Sequence, residues 1–245
     1  MAKPGGAAGR KPVPRRGAKR ASNGGPRGQA KPREAKRSKV VFDADPVAEA
    51  PRTFRLGVIP GATPGKWVDA WKQRMPDVPV ELVPIEVADQ RSAIDSVDAA
   101  LVRLPLDDAD AHVITLYDEM PVVVASSDSH LMAVDELTAA DLAGEVQITP
   151  MDDTLALLDL PGTLSPAFPA LPTTADAIAT VAAGVGFVVV PMSLARLHQR
   201  KDADHRPLID GPVSTVALAW RREGTTADVE TFIGIVRGRT ANSSR

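Results

Sequence analysis

The chain of 245 residues contains no cysteine. That absence excludes a disulfide framework, a cysteine-ligated zinc and a nucleophilic thiol. No apolar run approaches the roughly twenty residues that a membrane-spanning helix needs. The basic N-terminal segment is not followed by an apolar stretch, so it does not read as a secretory signal. It has the Arg content and acid poverty of a transit peptide, but its Pro and Gly argue against the amphipathic helix that such peptides form. The expected location is the cytoplasm, without a membrane partner.

Catalytic patterns are missing as well. The four histidines lack the spacing of a metal motif, and no serine near them sits in a nucleophile-elbow pattern. Asp107-Asp108 and Asp152-Asp153 are neighbours in sequence, and neighbours in extended chain point opposite ways, so both pairs read as solvated turns. Gly184-Val185-Gly186 follows a helical pattern and precedes a strand, the reverse of the dinucleotide fingerprint, and reads as a helix stop. An enzyme is not expected, and neither is a cofactor or a metal.

What is present is a sharp division of charge. Residues 1–40 carry thirteen Lys and Arg against the single acid Glu34, a net of +12. The other residues hold 16 basic and 30 acidic side chains, a net of -14. Rich in Gly, Pro, Ala and Arg, the head cannot bury enough surface to offset its ordering entropy and is expected to be disordered. Its basic clusters (Arg15 and Arg16, Lys19 and Arg20, Lys36 and Arg37) come without an aromatic residue for base stacking. Two roles suit it: non-specific contact with nucleic-acid phosphates, or a solubilising tail that folds back on the acidic part.

Residues 41–52 read as a linker, and strands then alternate with helical patterns. Strands are expected at 54–59, 80–85, 97–102, 112–116, 121–125, 146–148 and 213–220. Thr63 followed by Pro64 reads as a helix start, with Trp67, Ala70, Trp71 and Met75 as its apolar stripe. Thr173 with Asp176 reads as a second start, and Ile178, Val181, Ala182 and Val185 form one helix face. Gly184 and Gly186 stop that helix, and Phe187–Val190 forms a strand buried on both faces. Thr225 with Asp228 repeats the capping pattern before the last helix. The alternation favours parallel, helix-covered sheets, an α/β architecture.

These segments resemble the substrate-binding (effector) domain of LysR-type transcriptional regulators. The resemblance rests on FRLGVIPGATPGKWVDAWKQRMPDVPVELV, DSVDAALVRLPLDDADAHVITLYDEMPVVVASSDSHLM, ELTAADLAGE, VAAGVGFVVVP and HRPLIDGPVSTVALAWRR, in the family's order. It implies a two-lobed type 2 periplasmic-binding-protein-like fold at residues 53–238. Lobe I would take about 53–118 and 208–238, and lobe II about 119–207, with residues 1–50 as tail and linker. Complete members begin with a winged helix-turn-helix, whereas this chain has a Pro/Gly/Arg segment without helical periodicity in that place. The resemblance further implies a ligand-sensing role in transcription regulation, a small polar or anionic metabolite as partner, and a homodimer. The alternative is a non-specific nucleic-acid-associated protein acting through its tail.

Ligands in such folds bind where helix starts and strand ends face the cleft. Five residues are therefore candidates. Thr63 serves either as a plain N-cap or as a ligand contact. Arg103 ends a buried strand and pairs either with a carboxylate ligand or with Asp107 or Asp108. Thr149 reads as a ligand donor or a turn hydroxyl. Thr173 and Thr174 open a helix whose free amides suit an anion.

Overall fold

The computed structural model describes residues 50–155 and 158–238. The basic clusters at Arg15, Arg16, Lys19, Arg20, Lys36 and Arg37 lie outside the described residues.

Two sheets organise the fold. The first contains β1 (Phe54–Val58), β2 (Val80–Pro84), β3 (Ala99–Arg103), β4 (Ala111–Glu119) and β8 (Ser214–Arg221), in the order β2-β1-β3-β8-β4. The second contains β5 (Pro121–Ser126), β6 (Phe187–Pro191) and β7 (Ala203–Pro207), in the order β6-β5-β7. Chain passes from the first sheet to the second between Glu119 and Pro121, and returns between Pro207 and Ser214.

Alternation along each strand divides the core into layers. Leu56 and Leu101 point to the face covered by α1 (Gly65–Arg74) and α5 (Ala227–Val236). There Phe54 stacks on Trp71 at 4.5 Å and meets Phe232 at 5.1 Å, geometry that adds to plain area burial. Ala100 and Val102 point to the opposite face, where Ile94 and Ile85 cover them. In the second sheet Val122 and Val124 meet α3 (Thr174–Ala182) and α4 (Met192–Leu197). Val123 and Ala125 face the other way, onto Leu131, Leu142 and Leu208.

The structure departs from the sequence reading at several places. Of the strand pairs among the described residues, β1–β2 and β1–β3 are parallel, and β3–β8, β4–β8, β5–β6 and β5–β7 are antiparallel. Chain that returns from one sheet to the other must re-enter in the opposite direction, and helix–strand alternation alone does not register that. β7 was not expected because ADHRP has no apolar alternation; it is a half-buried edge strand. Segment 87–96 folds into short helical turns, including α2 (Gln90–Ala93). Thr63 does not cap α1, whose N-cap is Pro64 without a side-chain bond. Thr226 rather than Thr225 caps α5, accepting from the Val229 amide at 3.2 Å, while Thr225 accepts from the Trp220 indole.

Two glycines are dictated by contact. Gly186 has φ +61°, and a Cβ there would lie 2.0 Å from the Val146 carbonyl oxygen. Gly61 has φ +83°, and a Cβ there would lie 2.5 Å from Ser193 Oγ, a residue of α4 on the other sheet's side. Gly61 therefore marks a place where the two lobes approach closely around a turn.

Candidate functional site

Two cavities lie between the lobes. The larger, of about 650 Å³, opens where chain leaves β1 and β2 and faces the start of α3. Its first-lobe wall is Pro60 and residues 86–89, and its second-lobe wall is residues 151–154 and 173–175 with part of α4. Carboxyl ends of parallel strands facing a helix start form the usual place for a ligand in an open α/β sheet.

The helix start is built as its sequence suggests. Thr173 Oγ1 accepts from the Asp176 amide at 3.1 Å and donates to the Asp176 carboxylate at 2.8 Å. Thr174 Oγ1 donates to Asp152 Oδ1 at 2.9 Å, which ties the helix to the turn opposite it. Met151–Asp153 forms that turn, held at its base by the Met151 amide donating to the Leu171 carbonyl at 2.8 Å. Burial, followed by the negative charge of Asp152, pushes the Asp153 carboxyl above its ordinary value despite two backbone hydrogen bonds that act the other way.

The second cavity, of about 580 Å³, lies beside the strand crossing. Thr63, Tyr117, Glu119, Ser193 and Arg196 are among its lining residues. Behind it sits a buried network. Arg103 donates from Nη1 to Glu119 Oε2 at 2.9 Å and to Ser214 Oγ at 2.8 Å. Its Nη2 donates to Ser193 Oγ at 3.0 Å, and Ser193 Oγ donates to Glu119 Oε2 at 2.7 Å. Gln90 clasps the backbone of Arg103 with two bonds of 2.9 Å. The network thus joins β3, both crossing strands and α4. Arg103 Nε is buried without a partner. Burial comes first, and the Glu119 charge next, in raising the Tyr117 phenol above its ordinary value.

The five candidate residues are therefore not brought together. Thr173 and Thr174 line the larger cavity, and Thr63 lines the smaller. Thr149 is exposed and lines neither. Arg103 lines neither and is 2% exposed. Both partners weighed for it give way to Glu119, since Asp108 pairs instead with Arg221 at 2.7 Å. The physical reason is topology. Glu119 ends β4, two strands from β3 across β8, and the pairing of Glu119 with Ser214 carries it to the Arg103 guanidinium.

Sequence reasoning missed Glu86, Asp89 and Thr154 in the larger cavity; Asp152 lies in an exposed turn as expected, with Asp153 half-buried beside it, and both are on the cavity wall. Only the order of Met151-Asp152-Asp153 before a capped helix hinted at them. The 22-residue separation of Thr174 from Asp152 has no local signature.

Comparison with known proteins agrees with this architecture. The HTH-type transcriptional regulator CatR of Pseudomonas putida is 32% identical over 142 residues, covering 54% of this chain and 48% of that protein. The chain thus matches about half the length of that relative. The Hca operon transcriptional activator HcaR of Escherichia coli (strain K12) is 26% identical over 217 residues, covering 80% of this chain and 71% of that protein. Among solved structures, the BenM effector binding domain with its effector benzoate has a TM-score of 0.62 at 18% identity, covering 76% of this chain and 91% of that one. The oxidized form of OxyR has a TM-score of 0.60 at 20% identity, covering 79% and 98%. Their fold is the fold found here. No helix among the described residues is long and apolar enough to cross a membrane. A family model, the LysR substrate binding domain, matches residues 48–241, and the chain belongs to that family.

Proposed function

We propose that this chain is a ligand-sensing module in transcription regulation and not an enzyme, with lobes at about 53–118 plus 208–238 and at about 119–207. A small polar metabolite enters the larger cavity, touches Thr173 and Thr174, and draws the lobes together. The observation that carries this reading is the 650 Å³ cavity walled by both lobes. Support comes from BenM, whose effector binding domain holds benzoate, and from CatR and HcaR, which are transcriptional regulators. Closure would be passed on through a homodimer, and the cytoplasm is the compartment in which such a module acts.

A metabolite-library thermal-shift screen on the full chain tests the reading. A binder stabilises the folded state by mass action, about 2.7 kcal/mol at a concentration one hundred times its Kd. Stabilisation that persists when Thr174 is replaced by a bulky residue would place the binder elsewhere.

The thirteen cations of residues 1–40 favour a second activity, DNA contact through the tail. Six neutralised phosphates would make affinity fall by about three decades between roughly 50 and 200 mM salt, whatever the duplex sequence. Fluorescence anisotropy with unrelated duplexes, with and without residues 1–45, checks this. Tail-less protein that prefers one duplex would overturn it.

A further inference from the structure

The larger cavity is lined by four carboxylates and one histidine, His198. Glu86 and Asp89 on the first lobe face Asp152 and Asp153 on the second, and among the described residues no Lys or Arg lines the space between them. Among the described residues none of these four carboxylates belongs to an ion pair. A start of a helix normally attracts an anion, but here that position is already filled from within. Asp152 accepts from Thr174, and Asp176 sits in the first turn of α3. A further anion would meet four carboxylates and a helix end that already has its counter-charge.

Three other features narrow the ligand. Thr154 Oγ1 is shielded from solvent and has no hydrogen-bond partner, and its residue lines this cavity. A buried hydroxyl left unpaired is unfavourable until something bonds to it. The carboxylates are spread around the walls rather than converging, and no group of three metal-ligating side chains exists among the described residues. Spread acids suit a delocalised organic charge, whereas a metal ion needs ligands gathered at about 2–2.6 Å. Finally, Met151 and Leu197, 76% and 55% exposed, place apolar side chains on the walls within reach of an apolar body.

We propose that the ligand is a small organic cation, an amine or amidinium on an apolar body, held between Glu86 and Asp89 of one lobe and Asp152 and Asp153 of the other. This rests on the reading of the larger cavity as the ligand site. It also supplies a driving force for the proposed closure. Like-charged walls repel while the cavity is empty, and a cation between them removes the repulsion and adds attraction to both. The anionic ligand expected from the helix start alone gives way, because that helix end is neutralised by its own chain.

Three probes of one shape and three charges separate the possibilities: benzamidine (+1), benzamide (0) and benzoate (-1). Amide shifts of Ala88, Met151 and Ala175 in the full chain report binding. Benzamidine is expected to move all three amides, benzamide to do so more weakly, and benzoate to leave them in place. In the Glu86→Gln/Asp89→Asn variant the benzamidine Kd should rise about tenfold, about threefold per carboxylate, the scale of an exposed charge pair. Among the described residues neither side chain makes a hydrogen bond, so this variant keeps the wild-type spectrum elsewhere. Benzoate bound as tightly as benzamidine overturns the cation and leaves the cavity as the ligand site. An unchanged benzamidine Kd in the variant overturns the role of the carboxylates. Silence of all three amides with all three probes overturns both the ligand class and the site.

Discussion

Two cavities lie between the lobes, and their charged groups are treated in opposite ways. Beside the strand crossing, Arg103, Glu119, Ser193 and Ser214 are joined by hydrogen bonds of 2.7–3.0 Å, and Arg103 and Glu119 are 2% and 8% exposed. In the larger cavity the carboxylates lack counter-charges and Thr154 Oγ1 lacks a partner. Charges paired within the fold fix geometry, even with Arg103 Nε left over, whereas carboxylates without counter-charges are left to a ligand. Arg103, the one cation among the five candidates, has its amino groups taken up by the fold, so it positions the crossing rather than greeting a ligand.

The largest effect should come from breaking the buried Arg103–Glu119 pair. Glu119→Ala leaves the Arg103 guanidinium buried and uncompensated, with an expected loss of about 3–5 kcal/mol in urea unfolding. Glu86→Gln, the matching change in the other cavity, should stay within about 0.5 kcal/mol of the parent. Equal losses from the two substitutions would erase the distinction between the cavities.

Gly61→Ala should be next. The residue has φ +83°, and its new Cβ would press on Ser193 Oγ at 2.5 Å, inside the same network. A left-handed conformation with a side chain costs about 1–2 kcal/mol, and the contact brings the expected loss to about 2 kcal/mol by thermal unfolding. A neutral result would mean that the lobes approach one another less closely around Gly61.

The smallest effect is a pH slope from Asp153. Its folded carboxyl lies above the ordinary value through burial, so between the unfolded and folded values the folded state binds more protons. Stability from this group is therefore greatest below that window and is lost as pH rises through it. Urea midpoints from about pH 4 to pH 7 should fall less steeply in Asp153→Asn than in the parent. An unchanged slope would show that Asp153 is better solvated than its position implies.

Much of the fold was legible because periodicity reports which faces are buried. The strands at Phe54, Ala99 and Phe187 and the helix opened by Thr173 follow from alternation, the 3.6-residue stripe and the cap. β7 was not legible, since an edge strand gains its place through backbone pairing and leaves ADHRP half-buried. Of the site, Thr173 and Thr174 were readable from capping, a local pattern. Glu119 reaching Arg103, and Glu86 facing Asp153, depend on how distant segments are juxtaposed. Side-chain types alone carry no record of that.

Absence of cysteine allows a direct comparison of the two cavities. Single cysteines at Ala175, in the larger cavity, and at Thr63, in the smaller, can each be capped with a bulky thiol reagent. The thermal shift produced by the strongest metabolite binder is then measured on both capped proteins. Capping at Ala175 should abolish the shift, and capping at Thr63 should leave it within error of the uncapped protein. A shift that survives at Ala175 and vanishes at Thr63 would put the ligand beside the strand crossing and contradict the assignment of the larger cavity.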